Sequence, residues 1–466
     1  MKKHIKILAL VFGLIPLYFY SQQGNYKYNN FGNRSILLSG NVTGSVSDIG
    51  LVFYNPSRLT ELSKNGFAFN AEAFQLSTLR LTVLEEETLL NNTSFGGVPS
   101  MAGGTVKLFG EHFAYSFISR RKTDIGLSTN SKDITKNILD IFPDTQNYNF
   151  KAALNNKIKD NWYGLTWAKK LSEQLSIGIS VFGSLFKYES SSDLSHTIKY
   201  NEEEQEEVAY YLMHEAFKQT SCGFNIKIGA TYKIKNIDLG INLNVPYLEL
   251  YSDGEFCYNQ ITSGVGNGFD TFYDYNYKKL TSKKKEPLGI SIGTGIPLKK
   301  SKIHLNIDFV SGLSNYQRIS ISEIDIGAAT PTAVIFNEAR KAVFNFGIGG
   351  EIFLNDKFTT YFGFSSDFNA FKSNELLFNL TTSNANDMFV GTDFFHYSGG
   401  INMEMNWASI VMGITYASGS SKIQNPFRLN LSGIDFTDTQ NSMLSSERWQ
   451  FIVGLEIPFL NNKIKA

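Results

Sequence analysis

Six histidines are the first place to look for chemistry, and their positions argue against it. His4, His112, His196, His214, His304 and His396 are scattered along the chain, with no H-E-x-x-H pair or repeated ligand spacing that would gather a metal. Serine is abundant, but no G-x-S-x-G elbow presents one as a nucleophile. Gly293-Thr294-Gly295 lies inside an alternating strand pattern, the wrong context for a phosphate-binding loop. His304, Asp308 and Glu351 fall on polar strand faces and read as a structural network. No enzyme activity, cofactor or metal is expected.

The stretch that stands out instead is Asp48-Ile49-Gly50-Leu51-Val52-Phe53-Tyr54-Asn55-Pro56-Ser57-Arg58-Leu59. Its apolar run stops at Asn55-Pro56, because the residue before a proline is pushed out of the helical region. Regular alternation begins only after Gly66. Residues 22–65 keep no clean period, yet Ile49 to Tyr54 are too apolar to be left in water. This describes a compact plug buried inside something larger.

The larger object is a barrel. Met1 to Ser21 carries Lys2, Lys3 and Lys6, then an apolar run from Ile7 to Tyr20 and a polar exit, the form of a secretory signal peptide. No later stretch holds 18 consecutive apolar residues, so no transmembrane helix is expected in the mature chain. The 43 basic and 43 acidic residues balance, which argues against capture of nucleic acid. Aromatic residues reach 14%, enough for membrane-interface girdles. Cys222 and Cys257 lack metal-site spacing, and one disulfide between them is an open alternative.

Period-two alternation predicts fourteen strands, at about 66–80, 101–108, 112–120, 160–170, 174–190, 221–233, 237–250, 287–298, 302–311, 342–354, 358–370, 394–405, 408–418 and 447–459. In the sixth, Phe224, Ile226, Ile228, Ala230 and Tyr232 oppose Asn225, Lys227, Gly229 and Thr231. Connections alternate between short turns and long polar insertions, including 81–100, 121–159, 191–220, 251–286 and 312–341. Outer-membrane barrels have this asymmetry, whereas a soluble sandwich does not. The expected fold is therefore all-β: a 14-stranded antiparallel transmembrane β-barrel over 66–466, with an N-terminal hatch at 22–65 and a signal peptide at 1–21. Within the insertions, Glu202 to Phe217 predicts a helix, since Val208, Tyr211, Leu212 and Glu215 follow helical spacing. Its face either rests on the barrel rim or meets a hydrophobic ligand. For Lys283-Lys284-Lys285, contact with anionic lipid head groups and a solvated loop both stand.

The run from Gly44 to Leu59 resembles the hatch motif of the FadL-type long-chain fatty acid transporters, where small residues and an Asp precede an aromatic-Asn-Pro-Ala-Gly-Leu element. Phe346 to Ile352 and Tyr361 to Phe368 are similar to late strands of that family. Ser57 and Arg58 stand where the family usually has Ala and Gly, and the predicted third strand lacks the Gly or Pro of the family's kink. The resemblance implies outer-membrane uptake of hydrophobic compounds such as long-chain fatty acids, by diffusion through a plugged barrel with hatch movement and sideways release. It makes Asp48, Phe53, Tyr54, Asn55, Pro56, Ser57, Arg58 and Leu59 the hatch element. Phe182, Phe186, Tyr211 and Leu212 are the candidate hydrophobic ligand contacts. Expected partners are hydrophobic small molecules or fatty acids, outer-membrane lipids and, through the final strand at Leu455 to Phe459, the barrel-assembly machinery. The competing reading is a scaffold barrel that docks a partner protein, as some Bacteroidota relatives do in secretion; the aromatic- and Asn-rich composition suits that phylum.

Overall fold

The computed structural model describes residues 24–458, apart from 63–65, 84–85, 131–146, 203–204, 265–269, 328–330, 332–333, 372–391, 425–429, 432–433 and 436–440. The expected signal peptide and the chain end from Phe459 lie outside the described residues. Fourteen antiparallel strands close a barrel: β1 (Gly66–Val83), β2 (Glu86–Leu108), β3 (Glu111–Asn130), β4 (Asn147–Lys170), β5 (Leu175–Glu202), β6 (Gln205–Ile234), β7 (Ile237–Asn244, resuming as Leu248–Ser263), β8 (Thr271–Thr281, resuming as Gly289–Leu298), β9 (Ser301–Val310), β10 (Val343–Asn355), β11 (Phe358–Asp367), β12 (Asp393–Glu404), β13 (Ser409–Gln424) and β14 (Asn441–Pro458). β1 pairs with β14 from Gly66↔Pro458 to Val83↔Ser442, which closes the wall. The six expected short turns all occur, with Phe109, Lys235 and Lys299 taking positive φ in three of them.

Strand faces divide as the alternation requires. Phe67 and Phe69 on β1, Tyr163 and Leu165 on β4, and Phe224 and Ile228 on β6 all project outward and are exposed. An apolar face left bare around a closed barrel is the surface lipid covers. On β6 the inward positions Asn225, Lys227, Gly229 and Thr231 are small or polar.

Most of the predicted long insertions are not loops. The β5–β6 ladder continues from Leu175↔Tyr232 to Glu202↔Gln205, and β1–β2 continues to Val83↔Glu86. A membrane strand needs only about ten residues, so these ladders stand well beyond the bilayer. On β5 the outward residues change from Val181 and Leu185 to Lys187 and Glu189, which marks the level where lipid gives way to water. Above that level both faces carry polar residues, and the sequence pattern fades while the backbone ladder persists. From Gln205 the predicted helix is likewise β6: Ala209, Met213, Glu215 and Phe217 are buried on one strand face, with β5 and β7 on either side. Two flanking ladders outweigh a chance i, i+3, i+4 coincidence in an acidic segment.

Two insertions fill the barrel. From the N-terminal side comes the hatch, with α1 (Asn33–Leu37), α2 (Leu51–Tyr54) and a 3₁₀ helix (Pro56–Glu61). From the β9–β10 connection comes a hairpin, Leu313–Ser320 paired with Ile335–Arg340, whose Ile319 and Phe336 are buried against Phe186, Phe217 and Phe256 of the extended wall. This connection was expected to be an external polar loop; it folds inward because Arg318 and Arg340 find a carboxylate, Glu338, on the hairpin itself.

Candidate functional site

Asp48 is the hub of the hatch. Its buried carboxylate accepts the Arg34 and Ser35 backbone N–H groups at 2.6 and 2.8 Å, the Ser35 hydroxyl at 2.8 Å and the Gly50 N–H at 2.9 Å. One side chain thereby ties the start of α1 to the start of α2. Asn55 then caps the 3₁₀ helix, with Pro56 at its first position: Oδ1 accepts the Ser57 N–H at 3.2 Å and hydroxyl at 2.7 Å. The Asn55 amide donates to Thr43 O at 2.7 Å and to the β6 residues Ala230 O at 3.3 Å and Thr231 Oγ1 at 3.1 Å. Arg58, the unusual charge in this motif, ion-pairs with Asp238 of β7 at 3.3 Å and donates from Nε to Val46 O at 3.2 Å. Leu59 is buried in the hatch core, and Phe53 packs edge-on to Phe31 and Tyr54. Burial raises the Tyr54 phenol well above its usual range.

Inward glycines let this hatch reach the wall. A Cβ at Gly229 would lie 2.1 Å from Asn55 Oδ1, one at Gly178 2.6 Å from the Pro56 carbonyl carbon, and one at Gly363 2.3 Å from the Leu38 carbonyl carbon. Comparable approaches recur at Gly293, Gly347, Gly413 and Gly454, so the hatch is seated against wall on every side.

Above the hatch is a chamber of about 110 Å³, and its lining includes Phe53, Tyr54, Arg120, Trp162, Lys227 and Asp308. Lys27 closes one side through a 2.7 Å pair with Asp308. Lys227 Nζ sits 3.8 Å over the Phe53 ring, and Arg120 lies 5.5 Å from the same ring and 5.7 Å from Trp162. Of the three residues read as one network, His304 and Glu351 lie 3.5 Å apart on the wall, whereas Asp308 lines the chamber.

The sequence-derived ligand contacts separate. Phe182 is buried against Trp162, with ring centroids 5.3 Å apart, in the hatch-level core. Phe186 lies in the upper aromatic cluster, under Lys284 Nζ at 4.6 Å. Tyr211 packs on the edge of that cluster, whereas Leu212 belongs to the opposite strand face, beside Ser195 and Lys151. Lys284 is no lipid contact: it is buried and pairs with Glu286 at 2.9 Å and Asp160 at 3.6 Å. Burial works against its charge, but those carboxylates outweigh burial and hold the ammonium above its ordinary value. Cys222 and Cys257 are separate thiols. Arg120, Trp162, Lys227 and Lys27 were not singled out from sequence; the inward alternation of Lys227 with Asn225 and Gly229 was the available signal.

One wall of the chamber is incompletely laddered. β2 and β3 pair from Leu108↔Glu111 only to Met101↔Ile118, although β2 continues upward along β1 and β3 along β4. Among the described residues no pair joins β2 to β3 beyond that point. β3 also bulges there, between Ser119 and Arg121. Behind this notch runs the hatch segment at Tyr26–Asn30: Arg120 donates to Tyr26 O at 3.4 Å, the Asn29 amide to Arg120 O at 3.4 Å, and Arg121 and Arg448 stack on Tyr28.

No protein-family model and no curated protein matches the sequence. Solved structures do resemble the fold. A Pseudomonas aeruginosa FadL homologue matches over 95% of this chain and 99% of its own, with TM-score 0.57 and 10% identity. The Pseudomonas putida toluene transporter TodX matches over 92% and 99%, with TM-score 0.56 and 12% identity. The Ralstonia pickettii toluene transporter TbuX matches over 92% and 98%, with TM-score 0.50 and 12% identity. With its closed fourteen-stranded wall, bare apolar belt and N-terminal hatch, the chain is an outer-membrane-type barrel with the FadL fold.

Proposed function

We propose that this barrel conducts hydrophobic small molecules from the outside into the outer membrane, and that it releases them sideways through the β2–β3 notch. The observation that carries the reading is the end of β2–β3 pairing at Met101↔Ile118, beside a chamber closed from below by the hatch. Sideways release has a driving force, because an apolar molecule gains about 25 cal/mol per Å² on leaving water for lipid. The hatch movement required is a shift of Tyr26–Asn30, the segment behind the notch. A chamber of about 110 Å³ holds one end of a long-chain fatty acid, whose remainder would extend through the notch. The likeness to toluene transporters supports the same cargo class.

The test bridges the notch. In a protein whose Cys222 and Cys257 are changed to serine, Ser100→Cys and Ser119→Cys are joined by a short bis-maleimide. Uptake of a radiolabelled hydrophobe by Gram-negative cells expressing this barrel should fall to background after bridging and stay normal with either single cysteine. Uptake that survives bridging overturns the sideways route. A protein partner that co-purifies stoichiometrically from mild detergent, with no bound lipid in native mass spectrometry, overturns transport in favour of a scaffold.

A further inference from the structure

Three lysines on the outside of the wall lie in one row. Lys122 of β3 is directly opposite Lys159 of β4, and Lys159 is directly opposite Lys187 of β5. All three are exposed on the outward face. Adjacent strands are about 4.8 Å apart, so the row spans about 10 Å of wall. Like charges directly opposite one another repel, and the sheet gains nothing from the arrangement. The row continues through Thr220 to Asp253, two strands beyond Lys187. Among the described residues, no carboxylate comes within ion-pair distance of Lys122, Lys159 or Lys187.

The next row outward is built the other way. Asp124, Lys157, Glu189, Lys218 and Glu255 stand opposite one another in that order with alternating sign. Two ion pairs close within it, Lys157–Asp124 at 3.7 Å and Lys218–Glu255 at 4.0 Å. On the bilayer side of the lysines, the row of Asn161, Leu185, Cys222 and Tyr251 exposes Leu185 and Tyr251, and Tyr163 and Leu165 follow on β4. Exposed tyrosines bordering an apolar belt mark the head-group level of a membrane. The lysines stand about 7 Å above that border.

We infer that Lys122, Lys159 and Lys187 bind the phosphate groups of an outer-leaflet glycolipid. A row of one sign calls for a counter-charge from outside the protein, and at this depth the bilayer presents its head groups. The alternating row above needs none. Three ammonium groups on neighbouring strands can each donate to phosphate oxygens, and Thr220 places a hydroxyl donor beside Lys187. Lys122 also stands on β3 just beyond Ile118, where pairing with β2 ends, so the bound lipid lies at the upper border of the notch. The inference rests on placement in the outer membrane and is independent of transport.

The test is native mass spectrometry of the full barrel in mild detergent, titrated with bisphosphorylated lipid A. Lys159→Gln should weaken binding about five-fold, the contribution of one lysine at an anionic surface, and the triple variant Lys122→Gln, Lys159→Gln, Lys187→Gln about a hundred-fold. Lys157→Gln, one row higher and paired with Asp124, should change binding by less than about two-fold. Dephosphorylated lipid A should bind the native barrel no better than the bisphosphorylated lipid binds the triple variant. Heat-modifiable migration establishes that each barrel is folded. Equal losses in Lys157→Gln and Lys159→Gln refute the row in favour of diffuse surface charge. A triple variant that binds like the native protein, or phosphate-free lipid that binds like the bisphosphorylated form, refutes it outright. Inorganic phosphate that displaces the lipid at equal phosphate concentration assigns the row to a free anion and refutes the lipid site.

Discussion

Asp238→Asn isolates the bond between hatch and wall. In the native protein the Arg58 guanidinium and Asp238 carboxylate lie 3.3 Å apart, with side chains 6% and 14% exposed. Neutralising Asp238 leaves Arg58 charged inside the barrel, with Val46 O as its one hydrogen-bond partner among the described residues. Removing one partner of a buried pair typically costs 3–5 kcal/mol, and the position of Asp238 just beyond the 235–236 turn argues for the lower end. A loss of about 3 kcal/mol raises the population of undocked hatch by roughly 150-fold. The loss falls on docking and not on the wall, because the ladders closing the barrel do not involve either side chain.

The assay is hydrogen exchange. The Arg58 amide, bonded to Asn55 O at 3.1 Å, should lose about two orders of magnitude of protection in Asp238→Asn, while amides of the β6–β7 ladder keep theirs. Leak events in planar bilayers should rise in parallel. Arg58→Met combined with Asp238→Asn should recover most of the loss, since the double variant leaves no buried charge. Unchanged protection at Arg58, or equal loss in hatch and wall, would refute the view that this pair locks the hatch.

Other perturbations separate hatch from barrel in the same way. Gly229→Ala places a Cβ 2.1 Å from Asn55 Oδ1 and should unseat the hatch by about 2 kcal/mol or more, whereas Gly183→Ala, whose nearest contact is 3.9 Å, should be neutral; leak and heat-modifiable migration read the two apart. Pro56→Ala should alter uptake or leak with the barrel intact, and loss of assembly would assign Pro56 a folding role instead. Glu215, inward on the extension beyond the bilayer, is pushed by burial up to about 8. Its folded form holds its proton longer than the unfolded form, so stability of the external hairpins should fall as pH rises from about 4.5 to 8, by on the order of 5 kcal/mol at most. Burial also lowers His196 to about 4, so the opposite slope applies below 6.5, where protons would have to enter a buried imidazole. Proteolysis of the hairpins across pH 5 to 9 should show the alkaline loss, and Glu215→Gln should abolish it.

The wall was legible because its physics is local. Each inward or outward residue on β6 or β9 is decided by period two, and each turn by its own few residues. The external ladders were not legible, since beyond Lys187 no lipid imposes an apolar face and only pairing across strands keeps the chain extended. The misread helix at 202–217 shows the same thing: its ladder partners, β5 and β7, are what make it a strand. The hatch motif was visible in Asp48 to Leu59, whereas the chamber was not, because Arg120, Trp162 and Lys227 come from three strands and meet only when the barrel closes on Phe53.

Arg58 stands where the FadL-type motif usually has Gly, and its partner explains the added charge. Paired with Asp238 near the short-turn end, it fastens the hatch to the wall. The hatch core is held on every side by glycine seats, Asn55 contacts and ion pairs, so displacing it whole means breaking them together. Tyr26–Asn30 is held differently. Its ties to Arg120 are 3.4 Å side-chain-to-carbonyl bonds and stacked guanidinium groups lie on Tyr28, but Lys27 also pairs with Asp308 at 2.7 Å, the Tyr26 N–H donates to Asp367 at 2.8 Å, and Arg448 donates to Tyr28 O and to Asn29 Oδ1. Since this segment stands behind the unpaired edge of β2 and β3, a motion that uncovers the notch must break the Lys27–Asp308 pair and the Arg448 bonds. The proposed sideways route therefore involves no passage through the hatch core.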